Sequence, residues 1–116
     1  MDIKTATRGF AALSQETRLQ AFRLLVRSGE QGMAAGEIAR ALEVPQNTLS
    51  SHLASMVNAG LLQSVRQGRS IIYTVDLSGT QALLKFLLED CCGGQPEACI
   101  SLIDEVLPGG RAVAGG

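Results

Sequence analysis

Apolar positions recur at helical spacing along most of this chain and predict a series of short helices. Residues 4–13 (KTATRGFAAL) set Phe10 and Leu13 at i, i+3. Ser14 then reads as an N-cap, with Glu16 in the first turn of a second helix over 15–28. Its Leu19, Phe22 and Val26, flanked by Ala21 and Leu25, predict a core-facing stripe, and Gly29 ends the helix. A third helix over about 35–43 presents Ile38 and Leu42 at i, i+4. It stops at Glu43-Val44-Pro45, because the residue before a proline is pushed out of the helical region. A fourth, about 46–59, sets Leu49, Leu53, Met56 and Val57 on one face, with Gly60 at the position after its end.

The pattern then changes. LLQSV and SIIYTV are runs of β-formers separated by RQGR, which predicts a hairpin with Gly68 in the turn and Tyr73 packed within it. Residues 77–90 (LSGTQALLKFLLED) predict a strongly apolar helix that Gly93 and Gly94 stop. Pro96 can start a last helix to about Leu107. One domain over 1–107 is expected, followed by a flexible tail over 108–116. The fold class is mainly α with a β-hairpin wing, in winged helix-turn-helix order.

The fourth helix has two chemically different faces. Opposite its apolar row stand Gln46, Asn47, Thr48, Ser50, Ser51 and Ser55, short donors and acceptors without an acid among them. Such a surface suits the major groove, where carboxylates would repel phosphate while amides and hydroxyls reach base edges. A solvated helix can look the same. The short turn before it and the basic hairpin after it favour DNA. Arg66 and Arg69 flank Gly68 at the hairpin tip, within reach of phosphate or a minor groove. His52 either touches phosphate or caps the edge of the core.

Charge adds a modest bias in the same direction. The 116 residues carry a net charge of −1. Residues 1–73 hold eight basic and five acidic side chains, and residues 74–116 hold two and six. The larger, N-terminal part is therefore the end expected to face a polyanion. No apolar run approaches the length of a membrane span, and the start lacks the apolar block of a signal peptide, so a cytoplasmic protein without membrane contact is expected.

ETRLQAFRLLVRSGE and GEIARALEVPQNTLSSHLASMVNAGLLQSVRQGRSIIYTV resemble the ArsR/SmtB metalloregulatory repressors, with the likeness running from about residue 10 to 90. The resemblance implies a homodimeric winged-helix repressor that leaves its operator when a metal ion or metalloid binds. It also implies pairing through the first and fifth helices. That suits a fifth helix carrying Leu83, Leu84, Phe86, Leu87 and Leu88, more apolar surface than a small monomer buries.

Family members place their sensors differently. The cysteine pair that many arsenic-responsive members carry in the third helix is replaced here by Ala34 and Gly36. The family's zinc site between fifth helices needs histidine and carboxylate ligands, whereas the single histidine here lies in the fourth helix. What remains is Cys91, Cys92 and Cys99 in EDCCGGQPEAC, which resembles the C-terminal three-cysteine site of another arsenic-responsive subgroup. Three thiolates without a fourth ligand suit a pyramidal, thiophilic centre such as trivalent arsenic or antimony, while zinc prefers four ligands. Cadmium, lead or mercury, a reversible disulfide to Cys99, and buried structural cysteines are the other readings of the cluster. Catalysis is not expected. The residues six beyond Cys91 and Cys92 are Glu97 and Ala98, not the oxyanion-holding arginine of a phosphatase-like arsenate reductase, and neither a C-x-x-C pair nor a phosphate loop is present.

Overall fold

The computed structural model describes residues 1–88. Helix α1 spans Ile3–Leu13, α2 Glu16–Ser28, α3 Ala35–Leu42, α4 Gln46–Asn58 and α5 Leu77–Leu88. Strands β1 (Met33–Ala34), β2 (Leu62–Gln67) and β3 (Ser70–Val75) form an antiparallel sheet in the order β1-β3-β2. The mainly helical architecture with a small sheet as its wing is the winged helix-turn-helix expected from the sequence. The last helix expected from Pro96, the tail and all three cysteines lie outside the described residues.

The chain divides into two compact units, Met1–Leu83 and Leu84–Gly116. In the first, α2 packs against α1, α3, α4 and β3, which places it at the centre. Leu25, Ile38, Leu49, Leu53, Met56, Leu61 and Leu62 are fully buried there. Side chains of this size each stabilise by about 1.5–3 kcal/mol when removed from water. They come from both helices of the helix-turn-helix, from α2 and from the start of β2, so one core fixes reading helix and wing together. The described part of the second unit is the helical stretch 84–88.

Two details of α2 correct the sequence reading. Ser14 belongs to the end of α1, its hydroxyl donating to the Ala11 carbonyl, and Gln15 caps α2 by accepting the Arg18 N–H at 2.9 Å. The core-facing side is Ala21, Phe22 and Leu25, whereas Leu19 and Val26 are 45% and 54% exposed. Two interleaved apolar rows were available on this helix, and packing against α1, α3 and α4 buries the one that holds Ala21.

The turn between α3 and α4 is Glu43-Val44-Pro45. Glu43 adopts a left-handed conformation, φ 57°, and its N–H donates to the Arg40 carbonyl. Pro45 supplies the extended residue that opens α4, where its missing N–H costs nothing. At the other end of the motif, β2 and β3 pair Gln67 with Ser70, leaving Gly68-Arg69 as a two-residue turn. A positive φ at Gly68 (64°) and not at Arg69 matches a type II′ hairpin, whose first central residue favours glycine.

The N-terminus of α5 is held in two ways. Asp76 accepts the Gly79 N–H at 3.0 Å, and its own N–H donates to the Leu61 carbonyl. Gly79 lies against the Gly60 carbonyl so closely that a β-carbon would collide with that oxygen.

Candidate nucleic-acid interface

Helix α4 has thirteen residues, so it is about 20 Å long. Leu49, Leu53 and Met56 are buried on its inner side, and Val57 is half-buried. On the other side Gln46, Asn47, Thr48 and Ser51 are exposed, and Ser50 and Ser55 are half-buried. The polar residues singled out from the sequence thus lie off the core and concentrate toward the N-terminal half of α4. Asn47 is already engaged: its Oδ1 accepts the Thr48 N–H at 2.9 Å. That bond satisfies one of the open donors at the helix start and leaves the amide NH2 as the side chain's donor group.

His52 is half-buried, and its Nδ1 accepts from Nε of Arg18 at 3.0 Å. The histidine is therefore anchored to α2, with Nε2–H as its remaining donor. Sequence reasoning did not select Arg18, since the two partners are 34 positions apart.

Arg66 and Arg69 are both exposed, but their positions differ. Arg66 sits in β2 opposite Ile71, whereas Arg69 occupies the turn and lines a groove between the wing, α3 and α4. Arg40 of α3, also missed from the sequence, lines the same groove. It is exposed, and its place on this groove follows from the α3–α4 crossing, which no local pattern encodes. The exposed surface thus combines an acid-free helix face with a basic hairpin tip. A carboxylate-free face beside guanidinium groups is chemically suited to phosphate and base edges. Among the described residues no three His, Cys, Asp or Glu side chains are grouped for a metal ion, and no helix is long and apolar enough to cross a membrane.

Fold and surface together define a winged helix-turn-helix regulator. A family model described as a helix-turn-helix domain matches residues 13–65. The HTH-type transcriptional regulator YgaV of Escherichia coli is 32% identical over 81 residues, covering 70% of this chain and 80% of that protein. The transcriptional activator HlyU of Vibrio cholerae is 29% identical over 76 residues, 66% of this chain and 68% of that protein. The arsenic resistance transcriptional regulator ArsR1 of Pseudomonas putida is 36% identical over 64 residues, 55% of this chain and 48% of that protein.

Solved structures agree. An ArsR-like transcriptional regulator from Rhodococcus sp. RHA1 superposes with a TM-score of 0.66 at 27% identity, covering 90% of this chain and 93% of that one. Reduced HlyU from Vibrio cholerae gives 0.60 at 27% identity, covering 77% and 90%. The homodimeric winged helix-turn-helix DNA-binding domain of Mb0332 from Mycobacterium bovis gives 0.59 at 27%, covering 76% and 82%. The chain belongs to the ArsR family of transcriptional regulators. That is a family of DNA-binding regulators and not of enzymes.

Proposed function

We propose that this regulator is a homodimeric repressor that binds operator DNA and leaves it when trivalent arsenic or antimony is held by Cys91, Cys92 and Cys99. The observation that carries the DNA part is the acid-free outer face of α4 beside the arginine-bearing wing. Gln46, Asn47, Thr48, Ser50, Ser51 and Ser55 are the candidate base and phosphate contacts, with Arg66 and Arg69 on the wing and His52 at the edge. Two such helices related by a dyad would enter successive major grooves about 34 Å apart.

A homodimer is supported by the homodimeric relative, and α1 and α5 as its pairing helices by the apolar residues left exposed on them. Ile3 is 67% exposed and Leu77 76%. Support for the metalloid comes from the donor set, three thiols within nine residues and no fourth thiol or histidine nearby in sequence, and from similarity to an arsenic resistance regulator. Capture must favour the conformation with low DNA affinity, since equal affinity for both would shift nothing. A cytoplasmic setting would keep these thiols reduced.

A second reading of the same cluster is favoured by one observation, the solved reduced form of the relative HlyU. In this reading hydrogen peroxide takes two electrons and two protons from Cys99 and one neighbouring thiol; the S–S bond forms as the O–O bond breaks, and two waters leave. The test is operator binding measured by gel shift against arsenite, cadmium, zinc and peroxide. The metals are added under reducing conditions and the peroxide without reductant. Release by arsenite supports the metalloid sensor, and release by peroxide alone supports the redox reading. An unshifted operator at all protein concentrations would exclude both.

A further inference from the structure

The groove between α3, the N-terminal half of α4 and the wing has a volume of about 540 Å3. Gly36, Arg40, Gln46, Ser50, Arg69 and Tyr73 contribute to its walls. Arg40 stands on the α3 side and Arg69 on the wing side, so two guanidinium groups border one trough from different elements. The groove's carboxylate, Glu37, is engaged at the start of its own helix: its Oε1 accepts the N–H of the N-cap residue Ala34 at 3.0 Å.

Gly36 shapes the floor. A β-carbon there would lie 3.3 Å from Oε1 of Gln46 and 3.5 Å from Nη1 of Arg40. The missing side chain therefore lets the end of the first reading-helix residue and the α3 arginine share one small area. A larger residue would push both outward.

Geometry says what fits. If α4 enters a major groove and the wing tip reaches the adjacent minor groove, the strand dividing those two grooves must pass between helix and wing. Its sugar–phosphate backbone then runs along this trough. Guanidinium groups match phosphate oxygens in a two-pronged fashion, and contacts of this kind set register without reading sequence.

We propose that this groove seats one DNA backbone strand, with Arg40 and Arg69 as its phosphate contacts and Gly36 as the space that keeps Arg40 and Gln46 in place. The inference rests on the DNA-binding reading above and assigns Arg40 and Gly36 roles in it. It also separates Arg69, a groove residue, from Arg66.

The test uses the full chain and a fluorescein-labelled duplex of scrambled sequence, followed by anisotropy over a series of salt concentrations. Each phosphate contact contributes about 0.9 to the slope of log affinity against log salt. Because each substitution is present in both protomers of the proposed homodimer, Arg40→Gln and Arg69→Gln should each lower the slope by about two, and the double variant by about four. Gly36→Leu should lower it as Arg40→Gln does, while Arg40→Lys should keep it. Arg27→Gln, on α2 and away from the groove, should leave it unchanged. An unaltered slope in Arg40→Gln overturns the groove assignment, as does an equal fall in Arg27→Gln. If the unaltered protein shows no salt-dependent binding to any duplex, the DNA-binding reading itself fails. Circular dichroism melts of these surface variants separate lost contacts from lost fold.

Discussion

Nε of Arg18, in α2, donates to Nδ1 of His52, in α4, at 3.0 Å. The pair ties the central helix to the reading helix through a half-buried polar bond. It sits beside Leu53, where α4 turns from its polar face to its buried one. Arg18→Ala would leave the histidine acceptor without its partner. A loss of about 1–2 kcal/mol is expected for such a group. His52→Asn should lose less than His52→Ala, because an amide oxygen can stand where Nδ1 accepts. Urea unfolding at one fixed protein concentration measures all three.

The two faces of α4 should separate cleanly by mutation. Leu53→Ala empties a fully buried position and should cost about 2–5 kcal/mol of stability. Ser51→Ala is on the exposed side and should change stability by less than about 0.5 kcal/mol. If Ser51 meets a base edge, its loss should instead reduce discrimination between operator and scrambled duplex, by up to about 1–3 kcal/mol. Denaturation and competitive anisotropy on the same two proteins report these effects independently.

Gly79 should be among the least replaceable surface-near residues. Its approach to the Gly60 carbonyl leaves no room for a methyl group, so Gly79→Ala must shift the start of α5 or the α4–β2 turn. Backbone offers less give than a flexible side chain, and a cost of about 1–3 kcal/mol is expected. Gln81→Ala, exposed on the same helix, serves as the comparison and should be near neutral. Thermal melts of both variants decide the point.

One pH effect follows from α1. Hydrogen bonds from Thr5, its hydroxyl first and its backbone N–H second, hold the Asp2 carboxyl below the ordinary aspartate value. A carboxylate whose folded pKa is lowered stabilises above its unfolded pKa, and that contribution fades as pH falls through the folded one. The melting temperatures of the unaltered protein and Asp2→Ala should therefore differ at neutral pH and converge in strong acid, below the range of ordinary aspartates. Melts at the two pH values provide the check.

Local pattern was enough for α3, α4 and the hairpin, where apolar spacing, Pro45 and Gly68 leave few alternatives. It was not enough for α2. Leu19 and Val26 share helical spacing with Phe22, yet the packed side is Ala21, Phe22 and Leu25, a choice made by neighbouring helices. Strand β1 is two residues long, too short to show alternation, and exists because Met33 and Ala34 pair with Tyr73 and Ile72. The polar face of α4 was legible because its residues are consecutive along one helix. Arg18 and Arg40 were not, since Arg18 gains its position from a hydrogen bond to a residue 34 positions away and Arg40 from the groove that α3, α4 and the wing enclose. The cysteine cluster is read from composition and spacing and lies outside the described residues.

The central claim joins operator binding to thiol capture, and one titration addresses both. Labelled duplex from the region upstream of this protein's own gene is bound under reducing conditions, and arsenite is added while anisotropy is followed. The expected result is a fall to the free-DNA value near one metalloid per three-thiol site. Cys91→Ser, Cys92→Ser and Cys99→Ser should each bind the duplex normally and resist release. Normal release by all three variants, or a complex indifferent to arsenite in the unaltered protein, would contradict the account.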